Sequence, residues 1–215
     1  MSKIIPTILT NDTALYKRYI EVYANFTRHA QIDISDGQFT PEATISAASV
    51  WWPRGWSCDI HLMVNSPASY AATIIKLHPS LCIMHAEANE DLLPTFNKLK
   101  EQGIKVGVAL MKQTYPGDVK RYIEAADHVL IFAGEIGRQG GKADMLQIEK
   151  VDLIRAIKPD VEIGWDGGAN MTNVRVIAHA GIDVIYVGSA LSHAQDTVTM
   201  YQSLIAETDK RGVLL

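Results

Sequence analysis

The sequence has few cysteines, and their setting gives no sign of a disulfide framework. Of its 215 residues only Cys58 and Cys82 are cysteines, and each lies in a short apolar run typical of a β-strand. Small secreted domains that depend on disulfides carry several cysteines in spaced patterns, and this chain has no such pattern. We therefore expect both cysteines to be reduced residues of a hydrophobic core.

Long apolar runs and a strong excess of charge are also missing. No stretch approaches the roughly 18 consecutive apolar residues that a transmembrane helix requires, and Met1-Ser2-Lys3 leads into a short apolar run rather than a signal peptide. The net charge is only −4, so the surface as a whole does not attract nucleic acid. We expect a cytoplasmic globular protein that binds neither membranes nor nucleic acid.

What the chain does contain is a regular alternation of short apolar runs and stretches with helical periodicity. Strands are expected near residues 4–9, 30–34, 58–63, 81–85, 105–110, 128–132, 161–165 and 184–187. Helical segments are expected between them, including ones near 43–52, 90–102, 116–126, 144–158, 172–180 and, after the last strand, 195–209. Strict alternation predicts a parallel sheet. Eight such units predict a single α/β domain over residues 1–215, a (β/α)8 TIM barrel, with a doubly wound open sheet as the alternative.

A carboxylate on the second strand is the first candidate functional group. In the segment 31–37, Ile32 and Ile34 lie on one face of the strand and Asp33 on the other. A carboxylate inside a barrel is costly unless another group pairs with it. His61 and Asp166 are expected at the carboxyl ends of strands 3 and 7, the end where barrels of this kind carry active sites.

Asp33, His61 and Asp166 together predict one of two chemistries. A carboxylate, an imidazole and a second carboxylate are typical ligands of a divalent metal. Two acids on opposite sides of a small cavity also predict proton transfer between the faces of a substrate. The alternatives are an inward Asp that only accepts backbone hydrogen bonds and a His with a structural role.

Glycines after each of the last three strands predict a phosphate site. Gly140-Gly141, Gly167-Gly168 and Gly188-Ser189 follow strands 6, 7 and 8. Glycine lets backbone N–H groups approach an anion, and the loops after strands 7 and 8 are the usual phosphate site of such barrels. Ordinary turn glycines are the alternative.

Other strand ends supply further candidates. Thr7 and Met63, at the ends of strands 1 and 3, are expected to contact the substrate. His85 and Glu87 follow the fourth strand and either orient the pocket from behind its ligands or form an outward structural pair.

Taken together, these segments resemble the ribulose-phosphate 3-epimerase family. The resemblance is carried, in order along nearly the whole chain, by Pro6-Thr7-Ile8-Leu9, Asp33-Ile34-Ser35-Asp36-Gly37, Asp59-Ile60-His61-Leu62-Met63-Val64, His85-Ala86-Glu87, Asp166-Gly167-Gly168 and Gly188-Ser189-Ala190. It implies a barrel of the ribulose-phosphate-binding type and a homo-oligomer. It also implies that Asp33 and Asp166 are the acid/base pair and, with His61, ligands of a divalent metal such as zinc, manganese, iron or cobalt. Backbone groups of the glycine pairs and of Ser189 would hold the phosphate.

The sequence departs from the family pattern near the expected pocket. Gln31 stands where the family has a His that serves as a fourth ligand, and Ser35 stands where it has Met. The loop after strand 6 is one residue longer before Gly140. An amide is a poorer ligand than an imidazole, so the change should weaken zinc binding and favour metals that prefer oxygen. We expect Gln31 to be a weak fourth ligand or a donor to an oxyanion.

The resemblance implies a 3-epimerase acting on a ketose phosphate, of the D-ribulose 5-phosphate to D-xylulose 5-phosphate type. One Asp would remove the C3 proton and the other return one to the opposite face, through an enediolate that a metal stabilises. A related sugar-phosphate isomerase or lyase on the same barrel is one alternative. A non-catalytic phosphosugar-binding protein is another, although pure binding needs neither acid.

Overall fold

Eight parallel strands form a closed barrel in the computed structural model, which describes residues 2–138 and 140–210. The strands pair in chain order and β8 pairs with β1, so the sheet has no free edge. Their bounds are β1 Lys3–Ile8, β2 His29–Ser35, β3 Ser57–Met63, β4 Leu81–His85, β5 Lys105–Leu110, β6 His128–Phe132, β7 Glu162–Asp166 and β8 Val184–Val187. The prediction of a TIM barrel is confirmed, and the open sheet is excluded.

Helices cover the outside of the barrel. They are α1 Thr13–Tyr23, α2 Ala71–Leu77, α3 Leu93–Lys100, α4 Lys120–Ala125, α5 Lys150–Ile157, α6 Val174–His179, α7 Ser189–Ser192 and α8 Thr197–Thr208. Single 3-10 turns precede α2, α4 and α5, at Pro67–Tyr70, Pro116–Val119 and Met145–Glu149. A fourth turn, Ala47–Ser49, stands alone between β2 and β3. Among the described residues, no helix is long and apolar enough to cross a bilayer.

Two connections differ from the helical pattern expected from sequence. The segment near 43–52 contains only the turn Ala47–Ser49, because β-branched and aromatic residues flank that turn and Pro53 follows it. The short helix α7 begins directly after β8, at the glycine loop, and its four residues are too few to show a periodicity.

The alternation of side chains along the strands sets the position of the polar site. Ile32 and Ile34 of β2 belong to the large hydrophobic cluster between barrel and helices. The cluster inside the barrel is much smaller and consists of Ile5, Leu81, Ile83, Ala109, Leu130, Val184 and Tyr186. Because so few apolar side chains fill the interior, its two ends are left to polar groups.

Buried polar pairs occupy the amino-terminal end of the interior. Asp59 accepts hydrogen bonds from the Tyr186 hydroxyl at 3.1 Å and from His29 Nε2 at 2.9 Å. His128 Nδ1 lies 3.1 Å from Glu162 Oε1, and this contact lowers the pKa of Glu162 to about 2. The pairing offsets the cost of burying Asp59 and His128 inside the barrel.

Candidate active site

Three strands bring Asp33, His61 and Asp166 together at the carboxyl end of the barrel. Asp33 and His61 are direct neighbours in the register of β2 and β3, and Asp166 ends β7. His61 Nδ1 lies 3.0 Å from Asp33 Oδ1 and 3.6 Å from Asp166 Oδ2. One nitrogen and two carboxylate oxygens thus lie within 4.8 Å of one another, an arrangement suited to a divalent metal.

Gln31 lies beneath this group and contacts both acids. Its Nε2 donates hydrogen bonds to Asp33 Oδ1 at 3.1 Å and to Asp166 Oδ2 at 2.8 Å. Its Oε1 is buried with no hydrogen-bond partner among the described residues. The amide therefore partly compensates the two negative charges. Rotating the amide by half a turn would present Oε1 to a metal instead.

The proximity of the two carboxylates perturbs Asp166. Burial, together with the charge of Asp33, raises the pKa of Asp166 to about 6, although His61 and Gln31 oppose the shift. A carboxyl group with a pKa near neutrality is suited to acid–base work because it both accepts and gives up a proton readily.

Behind His61 a second set of polar groups continues away from the cavity. His61 Nε2 lies 2.8 Å from His85 Nε2, and His85 Nδ1 lies 3.2 Å from Glu87 Oε2. The backbone N–H of Met111, at 2.9 Å, and the Thr114 hydroxyl donate to Glu87 Oε1. Of the two interpretations of His85 and Glu87, the structure supports the inward one.

All residues predicted to contact substrate or phosphate line one open cavity above Asp33 and Asp166. They are Thr7, Met63, Gly140, Gly141, Gly167, Gly168, Gly188 and Ser189. The cavity can therefore hold a ligand whose anionic end lies at the glycine loops and whose reacting end lies at the acids.

Close packing of the β6 and β7 loops explains the glycine pair after β7. Gly167 and Gly168 have positive φ angles of 109° and 69°. A Cβ atom on Gly167 would lie 2.1 Å from the backbone N of Gly134, and one on Gly168 would lie 2.3 Å from the backbone N of Ala143. Only glycine fits at both positions.

Two aromatic residues of the cavity wall are among those that were not predicted. Phe132 and Tyr186 both line it, and the Phe132 ring lies 6.0 Å from that of His61. A signal was present in the sequence, because each lies two residues before a loop glycine and so shares the inward parity of its strand.

Comparisons with known proteins show the family to which the chain is similar. A model of the ribulose-phosphate 3 epimerase family matches residues 3–192. The chain is 31% identical over 202 residues to the ribulose-phosphate 3-epimerase of Schizosaccharomyces pombe, covering 90% of this chain and 88% of that protein. It is 30% identical over 206 residues to the cytoplasmic isoform of ribulose-phosphate 3-epimerase from Oryza sativa subsp. japonica, covering 91% and 89%.

A solved structure of a different enzyme shares the fold. The 3-hexulose-6-phosphate synthase from Salmonella typhimurium superposes with a TM-score of 0.69, covering 95% of this chain and 97% of that one. Its sequence is only 17% identical, so this likeness concerns the barrel and not the reaction.

Proposed function

The chain belongs to the ribulose-phosphate 3-epimerase family and is a pentulose-phosphate 3-epimerase, and we propose that Asp33 and Asp166 are the two groups that exchange the proton at C3. The observation that carries this proposal is the convergence of the two carboxylates on His61 below the glycine loops. The substrate pair of this proposal is D-ribulose 5-phosphate and D-xylulose 5-phosphate.

The reaction needs one base and one acid on opposite faces of C3. The C2 ketone makes the C3 proton acidic, so a carboxylate can remove it and leave a 2,3-enediolate. The other carboxyl group then gives a proton to the opposite face, which inverts C3. Asp33 and Asp166 come from β2 and β7 and enter the site from different sides of the barrel. Positioned acid–base groups of this kind contribute about 10²–10⁴-fold in rate.

The donor set fits a divalent metal, with Asp33, His61 and Asp166 as its ligands and zinc, manganese, iron or cobalt as candidates. A bound cation supplies positive charge next to the oxygen on which negative charge develops. Gln31 would be a weak fourth ligand through Oε1 after its amide rotates, because in the metal-free site Nε2 faces the two acids.

The phosphate would bind at the loops after β6, β7 and β8. Gly140, Gly167 and Gly168 all have positive φ, which turns their peptide groups into conformations that residues with a Cβ rarely adopt. Backbone N–H groups exposed in this way are suited to an anion. Holding the phosphate fixes the position of C3 relative to the two acids.

The resemblance to the family is the support for a homo-oligomer, which sedimentation velocity of the purified protein tests. The support for a cytoplasmic location is the rice relative, whose name specifies a cytoplasmic isoform.

The test follows the C3 proton by NMR in D2O. With metal-replete protein, we expect deuterium at C3 together with conversion of ribulose 5-phosphate to xylulose 5-phosphate. In Asp33→Asn and Asp166→Asn, conversion should fall by about 10²–10⁴-fold. Each variant should still exchange the C3 proton of one epimer only, because one carboxylate remains on one face.

Two results would contradict this assignment. Conversion at the wild-type rate in either variant would remove that Asp from the reaction. Binding of the substrate without any C3 exchange in the wild type would indicate a binding protein.

A further inference from the structure

A row of three side chains leads from the metal-binding group into the barrel wall. The rings of His61 and His85 lie with their centroids 5.0 Å apart at an angle of 30°, and both side chains are almost completely buried. Their Nε2 atoms face each other at 2.8 Å, and His85 Nδ1 faces Glu87 at 3.2 Å. Each ring nitrogen of His85 therefore has one partner.

The partners decide which nitrogen of each ring carries hydrogen. A carboxylate oxygen only accepts, so the hydrogen of His85 lies on Nδ1, facing Glu87. The ring of His85 is fully buried, which disfavours a second hydrogen and the positive charge it would bring. A neutral imidazole has a single N–H, so His85 Nε2 accepts. The hydrogen between the two rings then belongs to His61 Nε2. When a cation binds, His61 Nδ1 is left with a lone pair for it, whereas in the metal-free protein a hydrogen on Nδ1 faces the Asp33 carboxylate.

Nδ1 is the ring nitrogen of His61 that faces the two acids. His61 Nδ1 is the atom that lies 3.0 Å from Asp33 Oδ1 and 3.6 Å from Asp166 Oδ2. A metal accepts a lone pair and not an N–H group, so only this tautomer can use His61 Nδ1 as a ligand.

We propose that Glu87 is a positioning residue, which acts through His85 to keep the hydrogen of His61 on Nε2 and so makes Nδ1 available to a divalent cation. The inference rests on the proposed function, because that function supplies the cation.

The orientation of Glu87 is fixed from the other side. Its Oε1 accepts from the backbone N–H of Met111 at 2.9 Å and from the Thr114 hydroxyl. Lys150 Nζ in turn donates to the carbonyl oxygen of Met111 at 2.6 Å and holds that loop against α5. Since the backbone N–H of Met111 can only donate, the atom of residue 87 that faces it must be an acceptor.

Replacing Glu87 by Gln turns this constraint into a test. The amide oxygen must face Met111, so the amide nitrogen takes the place of Oε2 and donates to His85 Nδ1. The hydrogen of His85 then lies on Nε2 and faces His61, whose Nε2 must accept. His61 therefore carries its hydrogen on Nδ1, which blocks the metal ligand while every buried contact stays satisfied.

Two measurements on Glu87→Gln separate this mechanism from simple damage. In metal-free protein, ¹⁵N–¹H correlation spectra of the imidazoles should show His85 changing from the Nδ1–H to the Nε2–H tautomer. The dissociation constant for Zn²⁺, from competition with a chromophoric chelator, should rise by about 10–100-fold, as for other residues that orient a metal ligand. Circular dichroism should show unchanged folding.

The matched control is Thr114→Val, which removes the other side-chain donor to Glu87 and leaves the carboxylate and Met111 in place. Here His85 should keep Nδ1–H and Zn²⁺ affinity should stay near that of the wild type. Equal Zn²⁺ affinity in Glu87→Gln and wild type would overturn this inference and leave the proposed function intact. A loss of affinity with no change of the His85 tautomer would also overturn it. A wild type that binds no Zn²⁺ would contradict the metal site of the proposed function and this inference with it.

Discussion

At the scale of single residues, Gln31 is the most informative departure from the family pattern. Its amide satisfies both carboxylates through Nε2, which an acceptor nitrogen of a neutral imidazole at the same place would not do. The Gln side chain therefore stabilises the metal-free site and offers a metal only a neutral oxygen, after rotating away from Asp33 and Asp166. Both effects work against tight binding of zinc.

Gln31→His should consequently bind Zn²⁺ more tightly than the wild type, by roughly tenfold or more, because imidazole is a better zinc ligand than an amide oxygen. Calorimetric titration of metal-free protein measures the change. Gln38→His is the control, since residue 38 is exposed and does not line the cavity above the acids. Equal affinity in Gln31→His and wild type would show that residue 31 does not reach the metal.

The raised pKa of Asp166 makes the stability of the folded protein depend on pH. Its pKa is raised to about 6 in the folded metal-free protein from an ordinary value of 3.8. Folding therefore favours the protonated form. This contribution to stability is fully present below about pH 4, and it is lost as the pH rises through about 6.

In the presence of a chelator, Asp166→Asn should therefore be more stable than the wild type above pH 6, by about 1–3 kcal/mol. Below pH 4 the two proteins should have similar stability, because both then carry a neutral side chain at position 166. Urea unfolding between pH 4 and 8 measures the difference. A variant that is less stable than the wild type at pH 7.5 would be the opposite of what the raised pKa requires.

At the scale of elements, the loops after β6 and β7 hold each other in place. The backbone of Gly168 packs so closely on Ala143 that a Cβ atom there would lie 2.3 Å from the Ala143 nitrogen. Because Gly140 and Gly141 belong to the same β6 loop, a displacement at Gly168 moves both walls of the expected phosphate site.

Gly168→Ala should raise KM by about tenfold or more and weaken inhibition by inorganic phosphate, since loss of one good anion contact costs about 1.5–3 kcal/mol. Gly103→Ala is the matched control, because Gly103 has a similar positive φ of 75° with nothing within 4 Å of its Cβ position. It should lose only about 1–2 kcal/mol of stability, with an unchanged KM. An unchanged KM in Gly168→Ala would place the phosphate elsewhere.

At the scale of the whole molecule, the first and the last strand meet in the sheet. β1 pairs with β8 from Lys3 to Pro6, and the backbone N–H of Lys3 donates to the carbonyl oxygen of Asp183 at 2.8 Å. Closure therefore needs the first and the last strand at once, and it covers the strand edges that would otherwise be open to association.

A chain shortened after Asp183 would lack β8 and leave β1 and β7 with open edges. We expect it to aggregate or to show no cooperative thermal transition, because most of the buried surface depends on closure. Size-exclusion chromatography and circular dichroism of the shortened chain measure this. A monomer with a cooperative transition would mean that a smaller unit within residues 1–215 folds alone.

The sequence by itself determined the barrel and the three groups at its carboxyl end. The periods of strands and helices are local features, and so are the glycines that follow several of them. The alternation of eight strands with helical segments is therefore visible before any tertiary contact is known, although the connection near 43–52 contains only a 3-10 turn. The polar residues Asp33, His61 and Asp166 fall at strand ends, and the closed parallel sheet brings all such ends to one side.

Only the tertiary structure decided how those groups are bonded. The contact of Gln31 with two acids, the inward turn of His85 and the buried pair of Asp59 with Tyr186 join strands that are distant in sequence. Such contacts depend on the register between strands and on side-chain directions inside a closed barrel. Neither is encoded in the period of a single strand, so the sequence located the chemical groups while their hydrogen bonds required the fold.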